Sequence, residues 1–387
     1  MVIKSQAVRL YPNVRMKNVL DALCDYRRYC WNLGLETWNA MYDAYTIYKD
    51  ENPKPTEREV RDELVRLKAD WQYQLSSRVL QLAISDLGVA WSNFLNKALP
   101  DWGKPKFKSK RAARQGFKTD RAKLVDGQLR LDRPREIPKE GWSDIRVKGL
   151  RWMNGEVNLA SIYRENGRYY ANLSMECEED DPLESTGKDT AVDVNVGHIN
   201  YTEGMINTCP KKLTNLYQRI KHQQRLLARK REVNGKLATK SHNYVKTRAK
   251  LQRDYKKVAN IQKNLMHQFT KQLVTEYDRL VIEDLDVKRM KMSHIASKGL
   301  HRSMFGLFRR QLTYKSLWYG KQVILADRLY PSTQRCSNCG HIKTGEDKIT
   351  LSGNKKYGTK HNEYICYECG YTNDRDANAV LNLLALL

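Results

Sequence analysis

Residues 2–11 (VIKSQAVRLY) alternate apolar and polar side chains, the period of a half-buried strand, and Tyr11-Pro12-Asn13 follows as a turn. Over 14–48 and 56–98 the spacing lengthens to three and four residues and predicts two helices, with Pro53 and Pro55 between them. In the second helix Leu75, Val79, Leu82, Leu87 and Phe94 fall along one stripe, and Trp91 and Phe94 are assigned to the core. Beyond Pro100, the runs 124–131, 144–152, 156–164 and 168–176 read as short strands. Asp126-Gly127, Asn154-Gly155 and Asn166-Gly167 punctuate them as hairpin turns. If strand 2–11 completes this set, the result is a β-barrel or compact sheet, with the helices inserted between its first and second strands.

The acidic stretch 178–186 (EEDDPLEST) reads as a linker. After it come a buried strand KDTAVDVNV (188–196), a hairpin over 199–208 and a helical pair over 211–275, broken near Asn234-Gly235. The stripe of that pair's second helix is Leu251, Tyr255, Val258, Ile261, Leu265, Phe269 and Leu273. Strand RLVIED (279–284), helix 300–320, strand QVILAD (322–327) and helix DANAVLNLLALL (376–387) complete the chain. Strands alternating with helices predict an α/β domain here, and the whole chain is multidomain α+β.

Charge changes the picture. The 387 residues carry 69 Lys and Arg against 44 Asp and Glu, a net charge of +25, which suits a polyanionic partner. The surplus concentrates over 211–271, with 18 basic residues against Glu232 and Asp254, and in GKPKFKSKRAARQGFK (103–118). No apolar run approaches the roughly 20 residues of a bilayer span, and the N-terminus has no secretory pattern. The expectation is a cytoplasmic, prokaryotic nucleic-acid-binding protein, associated with the nucleoid when on DNA, with no membrane partner.

Four of the eight cysteines, Cys24, Cys30, Cys177 and Cys209, are scattered; the others form two CxxCG knuckles, Cys336/Cys339 and Cys366/Cys369. Four thiolates suit a tetrahedral Zn²⁺ at roughly 2.3 Å, and with every position filled by protein the ion is structural. Carboxylates form the second chemical set. Asp193 lies within an apolar strand, where an unpaired charge is costly. Glu283 ends a second apolar strand, LVIE, with Asp284 on the opposite face; either is a candidate for the functional acid, and alternation alone does not choose between them. Asp374 and Asp376 precede the last helix, Asp374 being well placed to cap it. Acids clustered at strand and helix ends of a basic protein fit a pair of Mg²⁺ ions and phosphodiester hydrolysis. No GxxxxGK[ST], GxGxxG or HExxH sequence competes.

The ordered set AVDVNVG (191–197), VIEDLDV (281–287), YPSTQRCSNCG (330–340), CYECG (366–370) and DRDANAVLN (374–382) resembles the RuvC motifs and zinc ribbon of TnpB. TnpB is the transposon-encoded nuclease related to type V CRISPR effectors. The resemblance spans the chain, with the C-terminal half the more diagnostic. It implies a metal-binding catalytic triad of Asp193, Glu283 and Asp376, a guide RNA and a double-stranded DNA target; the sequence does not fix the oligomeric state, with a monomer favoured. It also implies an organisation: a β-barrel wedge domain (1–13 and 100–180) with a helical recognition insertion (14–99). An RNase H-like RuvC domain (184–334 and 372–387) would carry an inserted zinc ribbon (335–371). Nucleic-acid contacts are expected from Lys104, Lys106, Lys108, Lys110 and Arg111, from Lys246, Arg248, Lys250 and Arg253, and from Gln81 as a reader of the motif flanking the target. The sequence departs from the family at Asn195, where glycine is usual. A nuclease-dead RNA-guided repressor and a transposase working without RNA are the competing readings. The retained triad opposes the first, and the ribbon before the third acid opposes the second.

Overall fold

The computed structural model describes residues 2–99, 101–134, 137–151, 155–179, 181–286, 303–350, 352–354 and 356–387. Asn154 of one expected turn, Val287 of the second motif and residues 300–302 of an expected helix lie outside the described residues. The chain divides into two compact units, Met1–Glu179 and Asp180–Leu387.

The first unit contains β1 (Val2–Tyr11), α1 (Val14–Ile47), α2 (Glu57–Arg66), α3 (Ser77–Leu95), β2 (Arg114–Thr119), β3 (Lys123–Val125) and β4 (Gln128–Arg130). It closes with β5 (Ile145–Lys148), β6 (Glu156–Glu165) and β7 (Arg168–Cys177). The strands form one seven-stranded sheet in the order β2-β6-β7-β1-β5-β4-β3. β1 lies inside it, antiparallel to β7 and β5, so α1 to α3 are indeed inserted between the sheet's first two strands in sequence. The alternation of β1 chooses an unexpected face. Lys4 and Gln6 are buried with Val8 and Leu10, while Ile3 is exposed. Gln6 fits inside because its amide donates to Met175 Sδ and accepts from the Arg151 N–H.

The single helix expected over 56–98 is interrupted. α2 stops at Arg66, a short 3₁₀ turn covers Asp70–Gln74, and α3 starts at Ser77. Tertiary contacts override the helical periodicity: the turn sets Trp71 edge-on against Tyr26 and Tyr29 of α1, with ring centroids 5.8 and 5.3 Å away. Gln72 holds the turn by accepting from the Ala69 N–H. A reciprocal Thr56–Glu59 capping box starts α2. Gly34 lets α1 and α3 approach closely, because a Cβ there would sit 2.4 Å from Ile84 Cδ1. Trp91 stacks on Trp38 at 5.7 Å beside this contact.

The second unit contains β8 (Asp189–Val194), β9 (His198–Tyr201), β10 (Gly204–Asn207), α4 (Lys211–Asn234), α5 (His242–Glu276), β11 (Arg279–Glu283) and α6 (Phe305–Trp318). β12 (Gln322–Ala326), β13 (Glu363–Ile365), β14 (Thr372–Asp374) and α7 (Arg375–Leu384) follow. Its five-stranded sheet runs β10-β9-β8-β11-β12, parallel from β8 to β12 and antiparallel at β9 and β10. One face, with Val192, Leu280 and Ile282, packs on Phe269 and Leu273 of α5 and on Phe308 and Leu312 of α6. The other, with Ala191 and Val281, is covered by Val380 and Leu383 of α7. Leucine-rich packing also joins α4 to α5, although Tyr255 of the expected stripe stays half-exposed. The acidic linker ends in a fixed turn, where Ser185 Oγ and the Thr186 and Gly187 N–H groups all donate to Asp278. No helix among the described residues is long and apolar enough to cross a membrane.

Trp91 is 1% exposed, so Trp91→Ala should destabilise the helical insertion by about 3–5 kcal/mol. Chemical denaturation followed by tryptophan fluorescence reads the effect, and a loss below about 1 kcal/mol would contradict this packing.

Candidate active site and metal centre

Alternation along two neighbouring parallel strands places the first two acids. Ala191 and Val281 point toward α7, so Asp193 and Glu283, two residues further on, point the same way. Register pairs Val192 with Ile282, which sets Asp193 and Glu283 side by side at the carboxyl end of the sheet. Asp284 therefore faces the other side, where it accepts from Arg309 and from Arg328 at 2.7 Å. Of the two acids the sequence left open, Glu283 is the one that shares a face with Asp193.

Asp376 arrives from α7. Asp374 caps that helix by accepting from the Asp376 and Ala377 N–H groups, at 2.9 and 3.1 Å, which turns Asp376 inward from the first turn. Asp376 is 8% exposed and Asp193 3%. Burial, followed by the charges of Glu283 and Asp376, pushes Asp193 up to about 8. Burial also raises Glu283; the Ser332 hydroxyl, donating at 2.6 Å, opposes this, and Asp376 reinforces it. The three acids thus form one electrostatic unit.

Four further residues frame this cluster. Asn195, in place of glycine, donates its amide to Asp193 Oδ2 at 2.7 Å. His198 Nε2 lies 3.0 Å from Asp376 Oδ2, and Arg375 donates to Asp376 Oδ1 at 2.9 and 3.0 Å. Sequence reasoning had noticed Asn195 only as a departure and had missed Ser332, His198 and Arg375 altogether. Ser332 stands within the motif YPSTQRCSNCG, but only the fold brings it to Glu283.

The four cysteines make the second centre. Among the described residues theirs is the only group of three or more metal-binding side chains whose ligand atoms all lie within 4.8 Å of one another. Each knuckle closes alike: the Gly340 N–H donates to the Cys336 carbonyl at 2.9 Å, and the Gly370 N–H to that of Cys366 at 3.0 Å. Both glycines have positive φ, 79° and 71°, where a side chain would be strained. The backbone N–H near Tyr371 and the Asn338 amide draw the Cys369 thiol down to about 6. Cys339, although a backbone hydrogen bond near His341 pulls it down, is pushed up to about 12 by the neighbouring thiols. Four sulfurs competing for protons at this spacing are the donor set of a tetrahedral soft-metal site. The carboxylates of Asp193, Glu283 and Asp376 do not all meet that distance, so the acids form a looser cluster than the sulfurs.

The expected nucleic-acid contacts are distributed unevenly. The stretch at 104–111 is pinned to α1: Asn32 bonds both the N–H and the carbonyl of Lys108, and Trp31 Nε1 donates to the Lys106 carbonyl. Lys108 lies 3.8 Å over the Trp31 ring, and burial lowers its pKa. Lys104 lies 5.4 Å over Trp91. Lys106, Lys110 and Arg111 are exposed, as are Lys246, Arg248, Lys250 and Arg253 on α5. Gln81 is half-buried and accepts from Arg78, which is itself paired with Asp120.

Comparisons with known proteins agree with this architecture. Residues 172–294 match a family described as "Probable transposase" (OrfB_IS605), and residues 305–383 match the "Cas12f1-like, TNB domain" family. A protein of Escherichia coli K12 named "Putative RNA-guided DNA endonuclease InsQ" is 28% identical over 335 residues, 82% of this chain and 76% of its own. One from Streptomyces pristinaespiralis, named "Putative RNA-guided DNA endonuclease", is 27% identical and spans 97% of this chain and 87% of its own. The cryo-EM structure of a Cas12f1–sgRNA–target DNA complex aligns over 99% of this chain and 98% of that protein, with a TM-score of 0.55 at 13% identity. The fold is that of a Cas12f1-like α+β protein. The chain is similar to proteins of the TnpB family over most of its length.

Asp193 has a folded-state pKa above its unfolded value, so its contribution to stability is lost as pH rises from about 4 towards about 8. Without added cations, Asp193→Asn should therefore stabilise the protein at pH 8 by more than about 1 kcal/mol and leave it unchanged at pH 4. Thermal melts at both values read this, and an equal effect at both would contradict the buried cluster.

Proposed function

We propose that this protein is an RNA-guided DNA endonuclease with a metal-dependent RuvC-like site at Asp193, Glu283 and Asp376. The observation that carries the reading is the electrostatic unit of three acids gathered at the carboxyl end of the sheet, in a chain of charge +25. The names of the two full-length relatives and the fold shared with Cas12f1 support it.

The three carboxylates would hold Mg²⁺, which supplies an activated water and stabilises the departing oxygen of a phosphodiester. The protein's part is placement. Parallel strand register aligns Asp193 with Glu283, Ser332 fixes one carboxylate oxygen of Glu283, and Asn195 fixes one of Asp193. Arg375 and His198 hold Asp376 from opposite oxygens. The donor set of Cys336, Cys339, Cys366 and Cys369 fits Zn²⁺ in a structural role.

The seven-stranded sheet (1–13 and 100–180) would curl as the wedge domain, and α1 to α3 (14–99) would form the recognition unit. The RuvC-like domain would span 184–334 and 372–387, with the ribbon at 335–371. Guide and target pairing reads most of the sequence, while the protein reads a short flanking motif. Gln81 is the proposed reader, and Lys106, Lys110, Arg111 and the α5 cations contact phosphates.

Cleavage and binding should separate. Asp193→Ala, Glu283→Ala and Asp376→Ala should each abolish guided cleavage of matched double-stranded DNA while retaining guided binding. Asp374→Ala, which loses a cap worth about 1 kcal/mol, should still cut. Parallel cleavage and mobility-shift assays with co-purified RNA and Mg²⁺ test this. Cutting that survives EDTA refutes the metal site, and binding without cutting by the unmutated protein points to a repressor.

A further inference from the structure

Just past the first cysteine knuckle, Lys343 is completely buried. A lysine is rarely taken out of water unless something offsets its charge. No carboxylate does so here among the described residues. The acids nearest in sequence, Glu346 and Asp347, pair with Lys356 instead, at 3.4 and 3.6 Å.

The Lys343 ammonium is held from two sides. Its Nζ donates to the Ile365 carbonyl at 2.5 Å and lies 3.2 Å from the centre of the Tyr367 ring. Ile365 and Tyr367 are the two chain neighbours of Cys366, so the charge is bracketed against the second knuckle. The Tyr364 ring stands 5.2 Å away, and Tyr357 stacks on Tyr367 with centroids 3.6 Å apart. Cys336 and Cys366, each 1% exposed, are buried in the same small core. Burial pulls Lys343 below the ordinary lysine pKa, and Cys366, Asp347 and Cys336 oppose that shift.

Four thiolates around one divalent ion leave a surplus of negative charge, part of it in the interior of the ribbon. An apolar side chain at position 343 could fill the space but could not offset that surplus. We propose that Lys343 is the built-in counter-charge of the four-cysteine centre, a positioning residue that tightens the hold of these sulfurs on Zn²⁺. Knuckle hydrogen bonds shape the site, and Lys343 supplies the charge they lack. The inference rests on the zinc reading of the cysteines and deepens it by naming the residue that balances them.

The test uses the full-length protein with Lys343→Met, which keeps the length of the side chain, and Lys343→Gln, which keeps an N–H donor; neither carries charge. Zinc release to a colorimetric chelator should be at least about ten-fold faster in both variants. Exchange of zinc for Co²⁺ supplies a readout that a purely structural role would not move. Removing a cation beside the thiolates raises their electrons in energy, so the sulfur-to-cobalt charge-transfer band should shift to lower energy. A variant that purifies without metal is titrated to saturation with Co²⁺ and its band read there. Release as slow as in the unmutated protein, rescue by Lys343→Gln, or a band of unchanged energy would each overturn the inference. An unmutated protein that binds neither zinc nor cobalt would instead overturn the zinc reading itself.

Discussion

Like charges buried together are the constraint on which the second unit turns. Asp193, Glu283 and Asp376 are held where water is scarce, so each opposes the ionisation of the next. An apolar trio would fold more easily at those positions. The surroundings soften the conflict without removing it: Asn195, Ser332 and His198 each contribute one polar contact and Arg375 two.

The cysteine centre is tied to the same constraint through α7. Asn378 and Asn382 of that helix are buried and donate to the carbonyls of Arg335 and Ser332, while the Ser337 N–H donates to Asn378. The segment that begins the first knuckle is thus fastened to the helix that presents Asp376. Ser332, at the head of the same segment, reaches Glu283. Folding of the ribbon and placement of two of the three acids are consequently coupled, although the two side-chain clusters are chemically distinct.

Much of this was legible in the sequence because the informative patterns are local. Alternation gave β1, and apolar runs gave β8 and β11; alternation left Glu283 and Asp284 both open, and only the covering of one face by α7 shows which of them lies beside Asp193. CxxCG spacing gave both knuckles. Capping by Asp374 followed from its place before an apolar helix. Where the reading failed, a long-range contact decided. The break between α2 and α3 depends on Trp71 meeting α1, and the buried face of β1 depends on partners 145 and 169 residues away for Gln6. Ser332 and His198 join the acids through the fold, with no spacing that announces them. The basic run at 104–111 looked uniform, yet Asn32 and Trp31 divide it into anchored and exposed positions.

The most direct measurement of the central claim is calorimetric titration of the RNA-free protein with Mn²⁺ or Mg²⁺ at pH 7.5, repeated with Glu283→Gln. If the acids form a divalent-cation site, the unmutated protein binds the ion with release of protons, because Asp193 sits near 8. The variant should then lose most of both signals. Equal binding by the two proteins, or binding with no proton release, would contradict the account.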